Sequence, residues 1–262
     1  HRLMNYYSAY SLIIKSEIKL NEYKESMAKE PDIEVSYTTN SIKNVLKNKN
    51  TSYSIDRGKK GVKGHVGDSV KFMILNGSNI IVSGDDSVSL GLVRSLVQGV
   101  FMAVVLRQRG YLVLHSCGLA KDNFAFGFAG HASWGKSTLA AYFAKRGYTL
   151  LGDDILAIDR KGDALSVLPG SSVTRLRPHA AKKICPEKVQ KNKDKEKYQL
   201  NFEHSYDNNE YSLRSIFILE ESVSHVNSAE IMGKKESILG LVEHTRVRNL
   251  MTKSTEMEQN LS

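Results

Sequence analysis

The chain has 262 residues, 41% of them hydrophobic, and a formal net charge of +9, enough for one large domain or a core with a smaller attachment. Its two cysteines, Cys117 and Cys185, exclude a disulfide framework and any paired-cysteine zinc spacing, and fit a reducing compartment. No apolar run reads as membrane-spanning and no charged-then-apolar leader opens the chain, so a cytoplasmic protein without a membrane partner is expected.

In chain order, the first eighty-five residues read as rich in strands. SAYSLIIKSEIKL is β-branched, DIEVSYT alternates, and VKFMIL and IIVSG flank NGSN, whose Asn76-Gly77 is a hairpin signal. From Val88 to Gln108, apolar residues recur at helical spacing, with Gly110 placed as a C-terminal cap. YLVLHSCGLA and NFAFGFAG predict two strands around Lys121-Asp122-Asn123, and Ser137 to Arg146 predicts a short helix closed by Gly147. YTLL then runs as a strand into Gly152-Asp153-Asp154, and ILAIDR and ALSVLP form a hairpin. A strand YSLRSIFILEE and a terminal helix near Ser237 to Met251 complete the order. This divides the chain into a β-rich region, 4–86, and a core, 87–262, which takes in the long helix.

The positive charge is concentrated between Ala181 and Tyr198, where Lys182, Lys183, Lys188, Lys191, Lys193, Lys195 and Lys197 face only Glu187, Asp194 and Glu196. The run reads as a mobile solvated loop or as one that closes on phosphate. No aromatic residues are interleaved to stack bases, so a nucleic-acid partner is not expected.

Gly130-His131-Ala132-Ser133-Trp134-Gly135-Lys136-Ser137 satisfies G-x-x-x-x-G-K-[ST], between a predicted strand and a predicted helix. Such a loop curls backbone N–H groups around a phosphate, aims a lysine at the β- and γ-phosphates and offers a hydroxyl to magnesium. The candidate nucleotide-binding residues are Gly130, Ser133, Trp134, Gly135, Lys136, Ser137 and Thr138, and the expected cofactors are ATP and Mg2+. The very next strand ends in Asp153-Asp154. A helix of about three turns brings the chain back beside its starting strand, so both carboxylates can reach the cradle, one for metal and one for a proton. A surface turn with a helix-capping role is the plain alternative for that pair.

His115, the GxxxxGKS turn and RGYTLLGDD together resemble the catalytic core of bacterial HPr kinase/phosphorylase. The resemblance is specific from about Tyr111 to Asp159. It implies an α/β fold shared with phosphoenolpyruvate carboxykinase, a mostly antiparallel sheet carrying a P-loop, with the N-terminal β-rich layer added. It assigns Asp153 as the base for a serine hydroxyl, His115 as its contact, and Lys136 and Ser137 to phosphate and magnesium, with Asp154 beside the base; Ser137 and Asp154 are the candidate metal ligands. The opening, NYYSAYSLIIKSEIKLNEYKES followed by PDIEV, resembles lasso-peptide precursor kinases, which implies a precursor peptide with a C-terminal acceptor serine as partner. HPr kinases usually carry G-x-S-G-x-G-K-S. Here Ala132 stands at the serine position, Ser133 at the inner glycine and Trp134 before the last glycine, so an inner glycine is lost. VLPGSSVTRLRP stands where HPr kinases carry LEIRGLG, so the reverse phosphorolytic activity is not expected.

Arg175, Arg177 and Lys197 are candidates for steadying charge on the transferred phosphoryl group. Cys117 reads as a buried inert thiol. His131 reads as a phosphate contact or as solvent-facing. Two other functions stay open: an HPr(Ser) kinase acting on the sugar-transport carrier protein, and a non-catalytic nucleotide-dependent binding module. A homo-oligomer also stays open.

Overall fold

The computed structural model describes residues 4–39, 53–56, 61–189, 196–202, 210–221 and 228–247. It is a mixed α/β protein with several sheets and few helices, and it divides into two compact units, one made of His1–Leu112 with Val247–Ser262, the other of Val113–Arg246.

The first unit carries a sheet of β1 (Asn5–Ala9), β2 (Leu12–Ser16), β3 (Lys24–Glu25), β4 (Ile33–Thr38), β5 (Tyr53–Asp56), β6 (Gly61–Val66), β7 (Val70–Leu75) and β8 (Asn79–Gly84). Their order is β3-β1-β2-β4-β8-β7-β6-β5. Alternation sets the faces: in β7, Val70, Phe72 and Ile74 are buried while the residues between them are not. The expected turn at Asn76-Gly77 joins β7 to β8, with both residues at positive φ. A second hairpin has no such sequence signal. Tyr10 and Ser11, both at φ 57°, turn β1 into β2.

The long helix comprises α1 (Leu90–Leu96), a π-helical turn (Val97–Phe101) in which Gly99 leaves helical geometry, and α2 (Met102–Gln108). Its 19 residues are long and apolar enough to cross a membrane by length and composition, which corrects the expectation that no run would be. About half of that stretch is buried within the fold. The Phe101 ring lies 4.4 Å from that of Phe72, Tyr23 donates to the Gln98 carbonyl at 3.3 Å, and the Gly77 amide donates to Gln108 at 2.8 Å. These ties explain why the division falls at Leu112/Val113 and not at 86/87: the helix belongs with the N-terminal sheet.

The second unit is built on β9 (Leu112–Leu114), β10 (Ser116–Lys121), β11 (Phe124–Ala129), β12 (Thr149–Gly152), β13 (Leu156–Lys161), β14 (Ala164–Leu168) and β17 (Tyr211–Ile218). The order is β12-β10-β11-β17-β14-β13-β9, and β11 runs parallel to β17 within an otherwise mainly antiparallel arrangement. Helix α3 (Lys136–Ala144) lies against β10, β11 and β12, where Phe126, Phe128, Phe143 and Tyr148 pack with Leu119, Ala140 and Leu150. Gly118 and Gly127 pair across β10 and β11, and a Cβ on them would stand 2.3 Å and 2.8 Å from Leu156. A side chain at either position would require that leucine to shift.

A separate ribbon pairs β15 (Val173–Leu176) with β16 (Tyr198–Asn201). Between them α4 (Pro178–Ile184) and α5 (Pro186–Val189) replace the first part of the expected lysine-rich loop. Ala181 and Cys185 are buried with Ala141, Leu176, Tyr198 and Leu200, so an apolar anchor folds this part. Lys191, Lys193 and Lys195 lie outside the described residues. The terminal helix, α6 (Lys234–Glu243), ends earlier than expected, because the chain beyond it turns to pair with β9: Leu114 bridges to Thr245. Met251 lies outside the described residues.

Candidate active site

The loop between β11 and α3 is held open by its backbone. Gly130, Ser133 and Gly135 have φ of 152°, 73° and 93°, a region where side chains other than glycine's are strained. Ser133, standing at an inner glycine position, therefore sits in left-handed geometry and its hydroxyl accepts from Arg177 Nη2 at 3.0 Å. Lys136 is buried, and its Nζ donates to the carbonyls of Gly130 at 2.6 Å and His131 at 2.9 Å. Burial lowers the pKa of its ammonium. Ser137 and Thr138 follow in the first turn of α3, where orphan N–H groups favour an anion.

The strand geometry explains how the aspartates arrive. The expectation that β12 returns beside β11 is corrected: it pairs with β10, one strand over. Because β11 and β12 are each antiparallel to β10, they run parallel to each other and end at the same edge of the sheet. Gly130 and Asp153 are thus brought to one end.

The two neighbouring aspartates then separate. Asp153 accepts from Ser137 Oγ at 3.0 Å and from the Thr174 hydroxyl of β15. Burial raises its pKa against the pull of those hydrogen bonds. Asp154 adopts φ 79°, which turns its carboxylate elsewhere: His115 Nδ1 lies 2.9 Å from Oδ1 and Arg246 Nη2 lies 2.6 Å from Oδ2. Burial alone would raise Asp154, but the His115 hydrogen bond and the Arg246 charge outweigh it and hold the carboxyl below its ordinary range. The expected pairing of His115 with Asp153 is therefore corrected to Asp154. The carboxylate beside the Ser137 hydroxyl is Asp153, not Asp154.

Arg246 is the residue that sequence reading missed. Its backbone N–H donates to Val113 O at 2.8 Å, while the His115 N–H donates to His244 O at 2.7 Å. This short pairing sets the Arg246 side chain beside His115 and Asp154, 92 residues away from the latter in sequence. No local motif announces such a contact. Thr174 was within sight, inside SSVTRLRP, where alternation would have turned it inward beside the two exposed arginines.

Of the remaining candidates, Arg177 reaches the loop through Ser133, Arg175 contributes its backbone N–H to Asp153, and Lys197 stands exposed before β16. Trp134 is half-buried, its ring edge-on to His131 at 4.6 Å, and His131 Nε2 lies 3.1 Å from Glu243 Oε1. Cys117 is fully buried, its thiol directed at the Lys136 carbonyl, and burial followed by the Asp153 charge pushes it far above the ordinary thiol range. It is inert.

Among the described residues no three His, Cys, Asp or Glu side chains gather into a metal-binding group. The Ser137 hydroxyl and Asp153 carboxylate nonetheless suit magnesium, which takes hard oxygens and is commonly held by one or two protein ligands with substrate phosphates completing the shell.

No protein-family model matches the chain, and no curated protein matches it either. A solved structure, the Hpr(Ser) kinase/phosphatase from Coxiella burnetii, is similar to 21% of this chain at 27% identity and a TM-score of 0.20. The match spans 37% of that protein's length, well under two thirds, and nothing about the site rests on it.

Proposed function

We propose that the chain is an ATP- and Mg2+-dependent kinase that transfers a phosphoryl group to a serine hydroxyl of a peptide, the C-terminal serine of a lasso-peptide precursor being the acceptor that fits the resemblance of its opening segment. One observation carries this reading: adjacent aspartates at the edge of a P-loop hold different partners, Asp153 the Ser137 hydroxyl and Asp154 the imidazole of His115.

Each residue then has a task. The loop amides and the α3 N-terminus bind the phosphates, and the Lys136 ammonium re-aims from the loop carbonyls toward them. Ser137 and Asp153 would hold Mg2+, which supplies neutralisation of phosphate charge when bound. Asp154 takes the proton of the serine hydroxyl as the new P–O bond forms and the bond to ADP breaks. His115 fixes its orientation. A carboxylate held below its usual pKa is a weak base, so the proton arrives late, and positioning supplies most of the acceleration.

Incubation with γ-labelled ATP, Mg2+ and either a serine-ended peptide or the HPr carrier protein tests the reading. Peptide labelling supports it, and carrier labelling alone would assign the protein to the HPr(Ser) kinases. Tight nucleotide binding with labelling of neither would favour a non-catalytic module, which the strained Ser133 position is compatible with.

A further inference from the structure

The pairing of Arg246 with Asp154 raises a difficulty for catalysis as well as a clue to the acceptor. Asp154 has two carboxylate oxygens and both are taken, Oδ1 by His115 and Oδ2 by Arg246. An acceptor hydroxyl needs one of them. The imidazole orients the carboxylate, so Oδ2 is the oxygen to be released, and release leaves a guanidinium in want of an anion.

That guanidinium is under-used as it stands. It has five N–H donors in a fork suited to bidentate carboxylate binding. Here it gives Asp154 one short contact, through Nη2. Nη1 faces His115 Nδ1 at 3.3 Å, but a nitrogen that donates to Asp154 Oδ1 has no lone pair to accept with. Nε is buried and has no hydrogen-bond partner among the described residues. The Arg246 side chain keeps 27% exposure and Asp154 44%, so an incoming group can reach both.

We infer that Arg246 is a specificity-determining residue that recognises a carboxylate lying beside the acceptor hydroxyl, exchanging Asp154 Oδ2 for the substrate's anion and so freeing that oxygen to face the hydroxyl. The inference rests on the kinase reading above and narrows its substrate class. Two sources supply this chemistry: the α-carboxylate of a C-terminal serine, or an aspartate or glutamate next to an internal serine. The exchange is one ion pair for another, so it costs little net charge burial. A substrate lacking the carboxylate would leave the guanidinium unpaired if it displaced Asp154.

Three short synthetic peptides of otherwise identical, neutral sequence test this with the full chain, γ-labelled ATP and Mg2+: one ending in serine with a free carboxylate, the same peptide amidated, and an amidated peptide with an aspartate after the serine. Removing the carboxylate should lower kcat/KM by roughly ten- to a hundredfold, the span expected for one charge-assisted contact. In Arg246→Gln, peptides with and without the carboxylate should react alike, and Arg246→Lys should recover part of the preference. Equal rates on all three peptides with the unmodified enzyme would overturn the inference while leaving the kinase reading intact, and need no variant that folds. A carboxylate preference that survives in Arg246→Gln would overturn it too. Labelling of no peptide would sink the kinase reading itself, and the inference with it. Which carboxylate-bearing peptide reacts faster identifies the source.

Discussion

His115 Nδ1 lies 2.9 Å from Asp154 Oδ1, whereas the preceding residue, Asp153, is turned to the Ser137 hydroxyl at 3.0 Å. A left-handed backbone at Asp154 (φ 79°) produces the divergence, and aspartate is among the few residues that tolerate it. On the proposed kinase reading, this arrangement separates a metal-side carboxylate, Asp153, from a proton-side one, Asp154. Asp154→Asn is accordingly expected to keep Mg2+-dependent nucleotide binding and to lose transfer by about a hundredfold or more, the size of a positioned base. Asp153→Asn is expected to lose the Mg2+ dependence of nucleotide affinity. Calorimetric titration with and without Mg2+, beside single-turnover transfer, checks both, and the opposite pattern would return the base to Asp153.

Lys136→Ala should abolish transfer and weaken nucleotide binding, since the only cation buried in the loop is removed among the described residues. The same change deletes the donors to the Gly130 and His131 carbonyls. Normal turnover in this variant would take the P-loop out of the mechanism.

The Ser133 position offers a stability test that is independent of chemistry. Ser133 holds φ 73°, and a non-glycine residue there pays about 1 kcal/mol or more that glycine avoids. Against that stand glycine's greater unfolded freedom and the loss of an exposed hydrogen bond from Arg177. Ser133→Gly should therefore change stability by no more than about 1 kcal/mol, toward greater stability. Urea unfolding measures it, and a clear destabilisation would show that the Arg177 tie outweighs the backbone strain.

The depressed pKa of Asp154 fixes the sign of a pH effect. The folded state holds this carboxyl below its unfolded value, so its stabilisation is present above the ordinary carboxylate range and is lost as pH falls through the folded pKa. Asp154 is partly exposed, so solvent screening limits the effect to about 0.5–1 kcal/mol. Melting curves of wild type and Asp154→Asn should differ at neutral pH and converge in acid below the ordinary carboxylate pKa. A gap that widens on acidification would show that His115 and Arg246 do not hold the ionised form.

Local structure was legible in the sequence wherever the deciding interactions are local. The glycine-lysine-serine loop between a strand and a helix, the Asn76-Gly77 hairpin and the strand running into Asp153-Asp154 follow from backbone preference and periodicity within a few residues. The inert burial of Cys117 follows similarly from its apolar strand. Tertiary structure decided what depends on contacts between distant segments. It placed β12 against β10, so that two parallel ends meet at the site. It assigned the Leu90–Gln108 helix to the N-terminal sheet through Phe72 and Phe101. It turned Asp153 and Asp154 to different partners, because that choice lies in one backbone angle and in where His115, Thr174 and Ser137 converge. Arg246 was beyond reach altogether: a surface-type residue after a short helix becomes part of the site only because the chain there pairs with Val113 to His115, and a pairing between segments so far apart leaves no period or spacing to read.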